Sequence, residues 1–390
     1  MSQQVPIRFV FMRGGTSKAV FLRESDLPAD RSARDRIILS LFGSPDPRQV
    51  DGLGGADILT SKLAVIGPPS REDADLDYTF AQVSISEPVV DYDINCGNIS
   101  AAVGIYALEE RIVRPQGSPA PVRIHNTNTG SVFVAHVPVE DGGPAVEGDL
   151  AIDGVPGTGA PILLDYAETV GGATGRLLPT GNRDDVLDVP GHGEVRASIV
   201  DIGNLSVFFP AAALGLHGTE GPADLDPGRL SAFDAVKDAA ARLLGLPEGG
   251  LVPVPVAVSP PADYTGYGTG ELVAGADVSL VARVVGGRPP AAHKAFPGTV
   301  GVTTAVAALI PGTVVSEAAV PPGQDEPVAI GHPSGVLPVW ARVRAEGEGF
   351  LVEQAAYART ARRLAEGVAY VRRSVWLEGG VVAAPGAYSP

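Results

Sequence analysis

The chain has 390 residues, 45% of them hydrophobic and 19% charged, with a formal net charge of -16. That length suits two domains rather than one core, and the negative charge argues against nucleic acid and anionic membranes as partners. One cysteine excludes an internal disulfide and a cysteine-built zinc site, and no apolar run reaches the length of a membrane span.

Gly 49 and Pro 35 make up roughly a fifth of the chain, which predicts many short strands joined by turns. The six histidines show no ligand spacing such as HExxH, so no metal is expected. The first residues lack the apolar core of a signal peptide, and the expected location is cytoplasmic.

In chain order, the apolar run before Met12 reads as a strand and leads into "MRGGTSK", residues 12–18. Two glycines let backbone approach a ligand closely, and Thr16 and Ser17 carry donor hydroxyls. A Walker loop needs Gly-Lys-Ser/Thr, whereas here Ser17 precedes Lys18 and Ala19 follows it. The stretch is therefore either a wall for another anion or a plain bulge between strands. Lys62 ends "ILTSK" and opens the strand-like "LAVI", a place where a lysine is commonly a solvated edge residue.

Next comes "NCGNISAAVGIYAL" (95–108), in which Ala101, Ala102, Ile105 and Leu108 fall at helical spacing, with Asn98 as the expected N-cap. The turn "HNTNTG" carries Asn126, Thr127 and Asn128. Further on, "FPGTVGVTTAVAAL" (296–309) places Val302, Ala305, Val306 and Leu309 at the same spacing, with Thr299 as the expected N-cap. Both helices are nearly free of polar residues, so each is expected to be the buried axis of a domain. A helix is also predicted from about Glu353 to Glu366, stopped by Gly367, followed by the strand-like "GVAYVRRSVW".

These segments belong to a repeat. "GGTSKAVFL" (14–22) matches "IGNLSVFFP" (202–210) with Gly15 over Gly203, and "LAVIGPP" (63–69) matches "PVAVSPP" (255–261). The two helical segments match at an offset of 201, and "VRIHNTNTGSVFVAHV" matches "VAIGHPSGVLPVWARV" with Gly130 over Gly335. Four matches in one order predict two domains of similar topology, over 1–185 and 186–367, with 368–390 a candidate to return to the first. Two buried helices opening onto a shared cleft near 180–190 would offer backbone N–H groups and positive dipole ends to a polycarboxylate.

"MRGGTSK", "TSK" at 60–62, "DINCGNIS" at 93–100, "HKAF" at 293–296, "GHPSG" at 331–335 and "RTARRLAEG" at 359–367 resemble the PrpF family. That family includes 2-methylaconitate cis-trans isomerase and 4-oxalomesaconate tautomerase. The resemblance implies an α/β, diaminopimelate epimerase-like fold of two pseudo-symmetric domains, each wrapping strands around a central helix. It also implies a cofactor-independent isomerase that moves a proton between the ends of an allylic system in an unsaturated tri- or dicarboxylate. The partner is then a small carboxylate, with a homodimer as an allowed assembly.

On that resemblance Lys62 and Cys96 are the catalytic candidates. Cys96, otherwise readable as a small buried hydrophobe, would sit at a helix N-terminus, where a thiol falls below its ordinary pKa of about 8.5. Lys62 would act as base in a dry cleft or hold an enolate-like intermediate as ammonium. Gly14, Gly15, Thr16, Ser17, Gly97, Asn98, Asn126, His293, Lys294, Gly298, Thr299 and Ser334 are the candidate substrate-binding residues. His125 and His332 read as structural, as does Arg363, while Arg359 and Arg362 stay open.

Relatives of the fold carry an acid/base cysteine, or its substitute, at both helix entrances. Here Cys96 is matched by Pro297, and Lys62 by Val254. A two-thiol racemase is thereby excluded. A racemase using another second acid/base and a non-catalytic polycarboxylate-binding protein remain as alternatives.

Overall fold

The computed structural model describes residues 3–92, 96–152, 154–287, 289–323, 325–347 and 349–377. It separates into two units, one holding the chain up to Leu164 together with the segment from Arg359, the other Asp165–Ala358. The divisions therefore fall at 164/165 and 358/359, against 185/186 and 367/368 in the sequence reading.

The first unit runs β1 (Gln4–Gly14), β2 (Ser17–Arg23), α1 (Arg31–Phe42), β3 (Lys62–Gly67), β4 (Leu76–Val83), β5 (Val90–Asp91), α2 (Gly97–Glu109), β6 (Ala120–Asn126) and β7 (Ser131–Val137). β1 pairs antiparallel with β2, β2 parallel with β3, β3 antiparallel with β4, β4 parallel with β6, and β6 antiparallel with β7. The parallel pairs need crossovers, which α1 and α2 supply.

Strand alternation divides this sheet into two faces. Val20, Leu22, Leu63, Val65, Ala81, Val83 and Val90 pack with Ile37, Ile38, Leu41 and Phe42 of α1. The intervening residues face α2, as the rings of Phe21 and Tyr106 show at 5.2 Å. α2 is apolar around its whole circumference, and every residue from Ile99 to Leu108 is buried.

The second unit contains β8 (Asp185–Val189), β9 (Gly193–Ile202), β10 (Asn204–Pro210), α3 (Pro227–Leu243), β11 (Val254–Ser259), β12 (Leu280–Gly286), β13 (Ala291–Ala292), α4 (Gly298–Ala308), β14 (Val328–His332), β15 (Gly335–Glu346) and most of β16 (Gly349–Arg359). The pairings repeat those of the first unit. β9–β10 is antiparallel, β10–β11 parallel across α3, β11–β12 antiparallel, β12–β14 parallel across α4, and β14–β15 antiparallel. The final strand, β17 (Ala361–Arg372), lies in the first unit and pairs antiparallel along β1 from Gly14↔Ala361 to Gln4↔Arg372.

Two sequence expectations are corrected here. No helix covers 353–366: those residues form the end of β16 and the start of β17. The helical spacing of Ala361 and Leu364 is overridden by the long ladder with β1, in which Leu364 becomes the extra residue of a bulge opposite Phe11 and Met12. The central helices also start two residues earlier than expected. Cys96 and Pro297 are the N-caps, since Ser100 N–H donates to the Cys96 carbonyl and Gly301 N–H to that of Pro297. Asn98 and Thr299 lie inside the first turn.

Candidate active site

The hairpin β1–β2 turns at Gly15 and Thr16, directly against the first turn of α2. A Cβ on Gly14 would overlap the Asn98 carbonyl oxygen, and one on Gly15 would overlap the Asn98 side-chain amide. Gly15 also has φ +51°, a left-handed conformation that side chains resist. The paired glycines thus serve the approach of the helix entrance to the hairpin. The second unit repeats the device: Gly203, at φ +65°, stands so that a Cβ would lie 2.8 Å from the Thr299 carbonyl oxygen.

Further hydrogen bonds fix the hairpin tip. Gly15 N–H donates to the Thr360 carbonyl at 2.9 Å. Arg13 donates to the carbonyls of Gly15 (3.1 Å) and Thr360 (2.9 Å) and to Thr360 Oγ1 (3.0 Å). Burial, and after it the charge of Arg362, make the Arg13 guanidinium less basic than usual. Across the tip, Asn98 Nδ2 donates to Thr16 Oγ1 at 2.9 Å, and Arg359 Nε donates to Asn98 Oδ1 at 3.2 Å.

One row of residues crosses the sheet at this level. Met12, Ala19, Lys62, Gln82 and Asp91 are in register on five adjacent strands, all on the face toward α2. Ser17 shares that face by alternation; it is 2% exposed, and its hydroxyl has no hydrogen-bond partner among the described residues. Lys62 is 7% exposed, donates from Nζ to Gln82 Oε1 at 2.8 Å, and lies 5.2 Å from the centre of the Phe80 ring. Among the described residues no carboxylate forms an ion pair with it. A buried ammonium without an anionic partner is costly and suits an anion that arrives from outside.

The structure therefore brings Gly14, Gly15 and Thr16 against Asn98 in the first turn of α2, which Cys96 caps and Gly97 opens, and sets Ser17 and Lys62 on the sheet face toward that helix. Asn126 is not among them. It lies level with Tyr78, four residues along β4 from Gln82, or about 13 Å. Its Oδ1 accepts from the N–H groups of Asn128 (2.9 Å) and Thr129 (3.3 Å), closing the turn. Asn128 likewise holds Phe80 and Tyr92 backbone. His125 bonds Asp77 at 3.0 Å, and His332 accepts from Ser334 N–H at 3.2 Å.

In the second unit, Gly298 and Thr299 open α4, His293 and Lys294 lie in the segment before its cap Pro297, and Ser334 Oγ donates to the Lys294 carbonyl. Nδ1 of His293 accepts from Ala295 N–H at 3.1 Å. Val254, opposite Ser206, occupies the place in the β10–β11 ladder that Lys62, opposite Ala19, has in β2–β3.

At the far end of α2, about 20 Å away, a groove of about 820 Å³ is lined by Glu109, Glu110, Arg111, Arg114, Arg363 and Glu366 among others. There Glu110 receives Arg8, Arg23 and Arg363, and Arg363 also pairs with Glu109 and Glu366. Arg363 is thus committed to a salt-bridge cluster. Among the described residues no group of three His, Cys, Asp or Glu is placed to hold a metal ion, and no helix is long and apolar enough to cross a membrane.

Sequence reasoning missed Gln82 and Arg13 and left Arg359 undecided. Gln82 carries no local signal, because its partner is twenty residues away and the pairing exists only through the β3–β4 register.

Two similar units, each strand-rich and wound on one buried helix, define the fold shared by proline racemases and diaminopimelate epimerases. A hydroxyproline epimerase from Agrobacterium vitis superposes with a TM-score of 0.50 at 12% identity, covering 94% of this chain and 93% of that one, a likeness of fold alone. The chain belongs to the PrpF family, whose family model (PrpF protein) matches residues 4–372. It is 47% identical to the 3-methylitaconate isomerase of Eubacterium barkeri, with 96% of this chain and 99% of that protein covered. It is 38% identical to the 2-methyl-aconitate isomerase of Shewanella oneidensis (93% and 96% covered) and 37% identical to the 4-oxalomesaconate tautomerase of Pseudomonas putida (96% and 98%). A crystal structure of methylitaconate-delta-isomerase superposes with a TM-score of 0.88 at 44% identity, covering 99% of this chain and all of that one. The protein is an isomerase.

Proposed function

We propose that this isomerase moves a proton between the ends of an allylic system in an unsaturated di- or tricarboxylate, without a cofactor. The observation that carries the reading is Lys62, a buried cation with no anionic partner among the described residues, on the sheet face that meets α2. A substrate carboxylate supplies the missing negative charge. The first-turn N–H groups of α2, Asn98, and the hydroxyls of Thr16 and Ser17 supply donors to it. Ser17 is suited to this because its buried hydroxyl is otherwise unspent.

The reaction needs one group to take a proton from the carbon beside a carboxylate or keto group, and one to return a proton at the far carbon. Lys62 and Cys96 are the pair assigned to these steps. The dienolate formed between them is stabilised by donors already fixed by the fold, the efficient way to meet charge that develops in a transition state. Return at the far carbon gives the shifted double bond; return at the first carbon after rotation gives the geometric isomer. Inversion by paired thiols has no second thiol to use, because Pro297 caps α4. The same reading has the enzyme acting on a free carboxylate in the cytoplasm, with a homodimer as an allowed assembly.

The test offers 3-methylitaconate, 2-methylaconitate, 4-oxalomesaconate and aconitate in D₂O and follows deuterium uptake and isomerisation. Turnover of at least one is expected. Lys62→Ala should lower it by about 10²–10⁴-fold, the usual effect of a positioned acid/base group, while the protein stays folded. A folded Lys62→Ala enzyme with near-normal turnover would refute the assignment.

A further inference from the structure

Lys62 is the sole lysine of the five-strand row, and among the described residues its hydrogen-bond partner is uncharged. The Gln82 amide is held in one orientation. Nε2 donates to the Ser61 carbonyl at 2.9 Å, which leaves Oε1 turned to Lys62 Nζ at 2.8 Å. Ser61 is itself immobilised. Its side chain is fully buried, Oγ donates to Gln49 Oε1 at 2.6 Å, and its carbonyl also accepts Val83 N–H at 3.1 Å. A flipped amide would set its N–H₂ against the Nζ hydrogens and lose both bonds.

Resting on the proposed function, we infer that Gln82 is a positioning residue, a neutral tether that aims Lys62 without holding its proton. An amide oxygen accepts from an amine as well as, more strongly, from an ammonium, so Lys62 keeps its partner on both sides of a proton transfer. A carboxylate in the same place would favour the ammonium. The row makes the choice of a neutral side chain informative, because Asp91 stands directly beyond Gln82, about 10 Å or two strand spacings from Lys62. Gln82 separates the two charges. Among the described residues, the other charged or titratable groups at this end of α2 are Cys96, at its cap, and Arg359, which donates to Asn98 Oδ1. Lys18 points to the opposite face, over the Phe11 ring at 4.9 Å.

The experiment uses Gln82→Glu and Gln82→Met with two readouts. The first needs no substrate: competitive acetylation of Lys62 by acetic anhydride across pH 6–11, followed by mass spectrometry, gives the titration midpoint of that lysine. Gln82→Glu should raise the midpoint by about one unit or more, whereas Gln82→Met leaves Lys62 without its tether. The second is turnover: Gln82→Met should lower kcat by about 10-fold or more with KM within about 3-fold, because aim rather than binding is lost. An unmoved midpoint in Gln82→Glu, or a wild-type kcat in a folded Gln82→Met enzyme, overturns the inference. If the unmodified enzyme turns over none of the carboxylates, the proposed reaction falls, while the acetylation midpoints still decide whether Gln82 tethers Lys62.

Discussion

Replacing Glu110 by glutamine isolates the electrostatics of the far end of α2. Glu110 is the C-cap of that helix, where the dipole disfavours a negative charge. Three guanidiniums reverse the balance: Arg8 binds both oxygens at 2.7 and 3.0 Å, Arg23 adds 3.1 Å and Arg363 adds 2.9 Å. The hydrogen bond from Arg8 is the chief cause that, against burial, holds the carboxyl at about 2 rather than its ordinary 4.5. A carboxyl depressed in the folded state stabilises it fully above the unfolded value and loses that contribution as pH falls through the folded one. A gap of this size is worth about 3 kcal/mol at neutral pH. Because the side chains of Arg8 and Arg23 are 45% and 39% exposed, water recovers part of it, and Glu110→Gln should cost about 2 kcal/mol. Urea unfolding of both proteins at pH 7 measures that difference. Repeating it at pH 3.5 should find the difference smaller by about 1.4 kcal/mol, one unit of titration. A difference near zero at pH 7, or one that does not shrink on acidification, would refute the reasoning.

Gly14→Ala pushes a methyl group into the Asn98 backbone; the expected result is a loss of about 1–3 kcal/mol in urea unfolding together with a raised KM, and wild-type values for both would contradict the hairpin–helix contact. Cys96→Ser keeps the shape of the helix cap, so with the thiol assigned a proton step kcat should fall comparably to Lys62→Ala; a much smaller fall in steady-state turnover would mean that it only lines the entrance. Thr303 Oγ1 is buried with the carbonyls of Ile202, Asn204 and Thr299 within reach of its single hydrogen, so Thr303→Val should destabilise the second unit by about 1–3 kcal/mol, seen as faster hydrogen exchange along α4. Prolonged chelation and desalting should leave turnover unchanged, and activity restored only by a divalent ion would overturn the cofactor-free scheme.

The repeat was legible because it resides in backbone requirements that leave local marks. Gly15 and Gly203 recur where a turn needs positive φ beside a helix entrance, and the run of small apolar residues after Gly97 and Gly298 recurs where a helix must be buried on every side. The segment 353–366 misled because Ala361, Leu364 and the arginines satisfy a helical period, while the force that makes them a strand is β1, over 340 residues away in sequence. Asn126 shows a related limit: an asparagine in a turn can face a ligand or close its own backbone, and only the fold reveals that its oxygen accepts from Asn128 and Thr129 N–H. Lys62 was visible as an unusual residue at a strand start. Its tether Gln82 was not, since glutamines on strands are ordinary and nothing local ties position 82 to position 62.

The pairing of β1 with β17 sets an order of events during synthesis. The second unit is one continuous stretch, Asp165–Ala358, and can fold as soon as it leaves the ribosome. The first unit begins earlier but lacks a strand along the whole length of β1 until Ala361–Arg372 has been made. Roughly 200 residues separate the two parts, which at about 5–20 residues per second is a delay of about 10–40 s. Throughout that interval β1 presents an open edge and the half-covered rings of Phe9 and Phe11. The older half of the nascent chain is therefore the later to mature, and it is the half that holds Lys62 and Cys96.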